Sequence, residues 1–139
     1  PFRRGMGGPG GWVILDEPEI HLGPKPDKVV PDLAGWHRKR MPSARGSKDS
    51  PTYYEIAPDW ACEILSPGTE AVDRGKKMRI YRREGVGHVW LIDPIEKLLE
   101  VYRLEEDRYF LLNTYEGEAV VRAEPFDAIE FPLALLWAD

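Results

Sequence analysis

The amino-acid sequence predicts an α/β domain, and three observations carry that prediction. Short apolar runs at Trp60 to Leu65 and His88 to Ile92 bracket a stretch, Thr69 to Glu84, whose apolar residues follow helical spacing. A strand–helix–strand order implies a parallel or mixed sheet joined by a right-handed crossover. Beyond it, Lys97 to Leu104 and Arg108 to Thr114 alternate apolar and polar residues on either side of Glu105-Glu106-Asp107. That alternation is the mark of half-exposed strands, here a C-terminal antiparallel meander at the sheet edge.

Each element has a local reason. Gly5 to Gly11 is rich in glycine and reads as a flexible leader, so the chain divides into residues 1–10 and a single domain over 11–139. These glycines lack the Gly-Lys-Ser/Thr ending and the preceding strand of a phosphate-binding loop. Trp12 to Leu15 and Glu19 to Leu22 read as strands, with Asp16-Glu17-Pro18 as a hairpin turn between them. Pro24, Pro26 and Asp27 mark a loop before a strand from Lys28 to Trp36, in which Pro31 removes an N–H and favours an edge, bulge or strand start. His37 to Pro58 is polar, basic and punctuated by Pro42, Gly46 and Pro51, which reads as a long excursion. Trp60 to Leu65 is a buried central strand. Thr69 is placed to cap the helix, Val72, Met78, Ile80 and Tyr81 are its apolar positions, Gly75 weakens it and Gly85 ends it. Asp93-Pro94 closes the next strand, and Leu133 to Trp137 forms a short apolar helix or turn that docks on the core.

Composition narrows the function. A chain of 139 residues, 42% hydrophobic and 31% charged, suits one globular core. No apolar run approaches the ~20 residues that cross a bilayer, so no membrane partner is expected. The N-terminus has neither an apolar signal region nor an initiator Met and reads as mature or truncated sequence. The single cysteine, Cys62, lies in an apolar strand as a small core residue, which suits a reducing cytoplasm. The net charge of −5 is unevenly spread. Residues 25–48 carry seven Lys/Arg against two acids and residues 72–88 carry six against two, while residues 91–139 carry four against twelve. A phosphate-facing surface with an acidic far side has this pattern, and so has a solvated charged loop.

Two acids stand out. Asp32 and Glu63 lie in apolar runs, where a carboxylate is costly unless paired, hydrogen-bonded or bound to a metal. They are 31 positions apart, on strands separated by the excursion, so both can converge on one divalent cation. Such a cation, Mg²⁺ or Mn²⁺, assists phosphodiester hydrolysis by neutralising charge and acidifying water. Lys76 and Lys77 follow on the helix. Successive helical residues point ~100° apart, so only one can face the acids, and Lys77, one turn before Tyr81, is the better placed. Plainer readings stand beside these. Asp32 can be a turn or capping acid, and Glu63 can be ion-paired to Arg79 or Lys77. Lys76, Arg79, Arg82 and Arg83 can form a solvated helix face, Asp93 a turn, and Trp36, Trp60, Trp90 and Trp137 core aromatics. His21, His37 and His88 show no zinc-ligand spacing, and Ser66 lacks a nucleophile elbow.

The phrases Pro31-Asp32, Glu63-Ile64-Leu65-Ser66-Pro67, Lys77 to Tyr81, Gly85-Val86 and Val89 to Pro94 resemble the PD-(D/E)XK nuclease superfamily, in particular its Uma-type branch of restriction endonucleases, over roughly residues 11 to 137. The resemblance implies a restriction-endonuclease-like fold, a mixed four-stranded core flanked by helices, with Mg²⁺-dependent cleavage of DNA. Asp32 and Glu63 would then be catalytic and ligate the metal, the main-chain carbonyl of Ile64 would add an oxygen, and Lys77 would orient water or stabilise phosphorane charge. The basic loop from Arg38 to Lys48 would hold the DNA backbone, and double-strand cleavage would call for a homodimer. Two departures accompany the resemblance. Leu65 occupies the position of the superfamily's lysine, and the N-terminal helix that supplies another acid in relatives does not precede Pro1. The alternative is an inactive nuclease-fold domain that binds DNA or a protein partner.

Overall fold

The structure, a computed structural model, describes residues 11–66, 70–126 and 130–137. The expected leader over 1–10 and the expected Thr69 cap lie outside the described residues. Six strands form the main sheet: β1 (Trp12–Asp16), β4 (Leu33–His37), β7 (Trp60–Ile64), β8 (His88–Asp93), β9 (Leu98–Glu105) and β10 (Arg108–Glu116), in that spatial order. Every neighbouring pair is antiparallel except β7 and β8, which run parallel with Trp60 opposite His88 and Ile64 opposite Ile92. The helix α1 (Glu70–Arg83) makes the connection between them. The expected α/β core and the edge meander are therefore present, with six strands in the sheet where the resemblance implied four.

The pleat of β7 explains its central place. Trp60, Ala61 and Cys62 are all fully buried, so the strand is apolar on both faces. Trp60 and Cys62 join a cluster with Trp90, Phe126 and Leu133, whereas Ala61 joins Ile80, Tyr81 and Val86 on the α1 side. Glu63 shares the parity of Ala61 and so points at the helix. The opposite face is covered by the short pair β11 (Val120–Val121) and β12 (Phe131–Pro132) and by α2 (Ala134–Trp137), with Leu136 and Trp137 packed against the core. One side of the sheet thus carries a long helix and the other mostly irregular chain. The C-terminus of α1 is closed as Gly85 requires. Its φ of +77°, with Gly85 N–H on Arg82 O (3.2 Å) and Val86 N–H on Tyr81 O (3.0 Å), makes a Schellman cap.

Three expectations are corrected. The first two strands do not form a hairpin. β1 pairs with β4, while β2 (Ile20–Leu22) pairs with β3 (Asp27–Val29) in a separate ribbon. Trp12 and Ile14 belong to the cluster on one face of the sheet and Ile20 and Leu22 to that on the other, so the chain must change sides at Glu17, whose φ is +45°. The strand expected from Lys28 to Trp36 is two strands, because Pro31 has no N–H to offer a ladder and the chain bends at Asp32. Asp32 accordingly lies in a bend before β4, half-buried, and not on a buried strand.

The excursion over 37–58 is ordered. A 3-10 turn at Arg38–Arg40 leads to a hairpin of β5 (Arg45–Ser47) and β6 (Ser50–Tyr53). Tyr54 ties it back, its N–H on Glu19 O (2.9 Å) and its carbonyl accepting from His21 N–H (2.8 Å). Asp93 is the expected turn residue, one carboxylate oxygen accepting N–H bonds from Ile95 and Glu96 at 3.0 Å each. Among the described residues no helix is long and apolar enough to cross a membrane.

Candidate active site

Glu63 is the one buried charged residue among those described, at 6% exposure. Its position follows from β7 running beneath α1. Lys77 and Tyr81 sit four apart on the helix, hence on one face, and both reach the carboxylate. Lys77 Nζ lies 3.0 Å from Oε1, and Tyr81 donates its hydroxyl to Oε2 at 2.5 Å. Lys77 also donates to the Val30 carbonyl at 3.0 Å, which stitches the helix to the bend that carries Asp32. Lys76, one residue earlier, is exposed. Arg79 is exposed as well, so of the two cations weighed for an ion pair with Glu63 it is Lys77 that makes it.

Asp32 is held from both of its chemical ends. Its carbonyl accepts from Glu17 N–H at 2.9 Å, at the close of β1. Its Oδ2 accepts the Ile64 N–H at 2.6 Å, immediately after Glu63 in the chain. The Pro31-Asp32 bend, β7 and α1 therefore meet at one place, and both acids predicted from sequence are brought together there. Leu65 contributes only its N–H, to Ile92 O at 2.7 Å. The helix delivers to Glu63 the cation that Leu65 cannot.

The electrostatics reflect burial. Desolvation is the foremost influence on Glu63 and pushes its pKa up, opposed by the Tyr81 hydrogen bond and the Lys77 charge and reinforced by the negative charge of Asp32. Tyr81 is pushed well above the ordinary phenol value, first by burial and then by Glu63, so its proton stays on the hydroxyl as a donor. Tyr81 is the site residue that sequence reasoning placed only as an apolar position. Its spacing of four from Lys77, and the need of a buried phenol for a partner, were the available signals.

Two carboxylates and a nearby main-chain carbonyl are hard oxygen donors. Asp32 Oδ1 makes no hydrogen bond among the described residues, and each oxygen of Glu63 keeps a lone-pair site beyond the bond it accepts. This donor set fits Mg²⁺ or Mn²⁺, which take one or two carboxylates and retain water. It is a carboxylate pair and not a cage: no group of three His, Cys, Asp or Glu suited to a metal occurs among the described residues.

Elsewhere, two cations of the basic excursion are paired, Arg40 with Asp59 at 2.6 Å and Arg45 with Glu55 at 2.8 Å.

Comparison with known proteins bears on the family and the fold. The model of the Uma2 family, described as "Putative restriction endonuclease", matches residues 3–135. The fold is similar to the crystal structure of a putative nuclease belonging to DUF820 from Anabaena variabilis ATCC 29413, with a TM-score of 0.67 and 24% identity over 91% of this chain and 68% of that one. No curated protein matches the chain.

Proposed function

Because the chain belongs to the Uma2 family, we propose that it is a metal-dependent endonuclease that hydrolyses DNA phosphodiester bonds. The observation that carries this reading is the convergence on one point of Asp32, Glu63 and Lys77 from three separate elements, with Lys77 Nζ at 3.0 Å from both Glu63 and the Val30 carbonyl. Asp32, Glu63 and the carbonyl of Ile64 would hold Mg²⁺ or Mn²⁺. When bound, such a cation screens the phosphate charge and makes water a better nucleophile near neutral pH.

The protein groups have distinct tasks. Hydrolysis forms one P–O bond to a water oxygen and breaks another to the leaving strand, and negative charge grows on the phosphoryl oxygens meanwhile. Lys77, anchored at Val30 and Glu63, offers a positive group that positions water or meets that charge. Tyr81, by donating to Oε2, fixes the Glu63 carboxylate in one rotation. The Ile64 N–H does the same for Asp32. Preorganisation of this kind avoids rearranging the site as the reaction proceeds.

Incubation of the protein with supercoiled plasmid and Mn²⁺, beside Asp32→Ala, Glu63→Ala and an EDTA control, tests the proposal. Nicking by the parent alone is expected. Undiminished nicking by folded Asp32→Ala would reject the assignment. A second reading, an inactive nuclease-fold domain that binds DNA or a protein, draws on the fact that both Glu63 oxygens already have donors within the protein. It predicts no Mn²⁺ binding by calorimetry, where the nuclease predicts binding that depends on Asp32 and Glu63.

A further inference from the structure

A groove of about 610 Å³ lies between the turn joining β2 to β3 and the outward side of α1. Lys25 stands on one wall, and Lys76, Arg79, Arg82 and Arg83 line the other, with Asp27 the only acid among the described lining residues. Five cations against the carboxylates of Asp27 and of Glu84, which pairs with Arg83, leave the cleft net positive. Arg83 is engaged, at 2.8 Å from Asp27 and 2.8 Å from Glu84, and Arg82 donates to the Asp107 carbonyl at 3.3 Å. Lys25, Lys76 and Arg79 make no hydrogen bond or ion pair among the described residues. Desolvating these three, which have no partner among the described residues, has no return until an anion arrives.

We propose that this groove seats the phosphodiester backbone of duplex DNA, independently of sequence, and leads it to the Glu63 site. The inference rests on the endonuclease reading above and adds where the strand lies. Lys76, Arg79 and Arg83 fall at spacings of three and four, one stripe of α1, and Lys77 and Tyr81 form the stripe beside it. A polyanion along the first stripe therefore passes next to the second, which holds Glu63. From Lys76 to Arg83 the helix rises ~10 Å, long enough for more than one phosphate contact. Arginine forks match phosphate oxygens bidentately. Among the described residues no aromatic lines the groove, so it has no platform there for stacking unpaired bases, and contact is with the backbone. Its apolar lining is Pro24 and the largely covered Ile80, which offers no anchor for a protein partner.

The test compares two charge reversals of equal size on the full chain. Lys76→Glu/Arg79→Glu alters the groove, and Lys39→Glu/Lys48→Glu alters the excursion; all four side chains are exposed, and circular dichroism confirms the fold of each variant. Binding to two fluorescent 20-base-pair duplexes of unrelated sequence is followed by anisotropy in EDTA over a range of salt. The groove variant should lose about tenfold or more in affinity for both duplexes, with a salt slope shallower by roughly 2, about 0.9 for each phosphate contact removed. The excursion variant should stay within about twofold. Equal losses in both variants, a loss for one sequence only, or unchanged binding by the groove variant would each overturn the groove assignment, and plasmid nicking by that variant would then show that the nuclease reading survives. Absence of DNA binding by the parent protein would overturn both. Poly-glutamate that displaces the duplex at equal charge concentration would point to an acidic protein ligand in its place.

Discussion

Asp32 and Glu63 are the same chemical group placed in opposite ways. Glu63 is inside a central strand, nearly sealed from water, with a donor on each oxygen. Asp32 is in a bend, half-exposed, with one oxygen tied to a backbone N–H and the other without a partner among the described residues. A buried acid depends on its partners for its charge, whereas a half-exposed one can rely on water. The site thus pairs a carboxylate whose state the protein controls with one that is open to a ligand.

The difference is sharpest if Lys77 is removed. Lys77→Met leaves Glu63 without its ion-pair partner and should cost about 3–5 kcal/mol in urea unfolding, most of it recovered in Lys77→Met/Glu63→Gln. A cost below about 1 kcal/mol would mean that Glu63 is as well hydrated as Asp32. Tyr81→Phe removes the second donor and should cost about 1–3 kcal/mol by the same measurement. The pH dependence is smaller and has a definite sign. The folded-state pKa of Glu63 lies above its ordinary value of 4.5, so the folded protein binds the proton more tightly than the unfolded chain does. This contribution is present at low pH and is lost as pH rises from about 4.5 through the raised value. In chelator, melting temperature measured against pH should show that loss, at most about 1.4 kcal/mol per pH unit, and Glu63→Gln should flatten it. The smallest stability effect belongs to Asp32→Asn, about 1 kcal/mol or less, because water replaces what its exposed side loses. The same substitution should abolish metal-dependent nicking, so stability and activity separate at Asp32 in a way they do not at Glu63.

The two acids also show what a linear reading captures. Glu63 was conspicuous because a carboxylate interrupts Trp60-Ala61-Cys62, residues that admit no exposed face. Helical geometry allowed only one of Lys76 and Lys77 to face the acids, and the spacing from Tyr81 favoured Lys77. Tyr81 escaped because an aromatic residue at an apolar helical position looks the same whether or not its hydroxyl has a task. The partnering of β1 and β2 was misread because Asp16-Glu17-Pro18 has the composition of a hairpin turn, and composition does not say which face of a sheet the next strand will cover. The six basic residues over 72–88 were visible as a number. The gathering of four of them, Lys76, Arg79, Arg82 and Arg83, around one groove with Lys25, 51 positions upstream of Lys76, was not.

By itself the sequence determined the periodicities, and through them the β7–α1–β8 unit, the meander, the core tryptophans and the two acids, because each of these is set by neighbours within one or two turns of chain. Tertiary structure decided that Lys77 and Tyr81 share Glu63, that Pro31 sends β3 away from the main sheet, and that Arg40 and Arg45 of the excursion meet acids while Lys25, Lys76 and Arg79 meet none among the described residues. Those outcomes depend on distances between segments far apart in the chain. Only packing of the whole fold sets them, since a buried charge takes whichever partner the surrounding elements bring within reach.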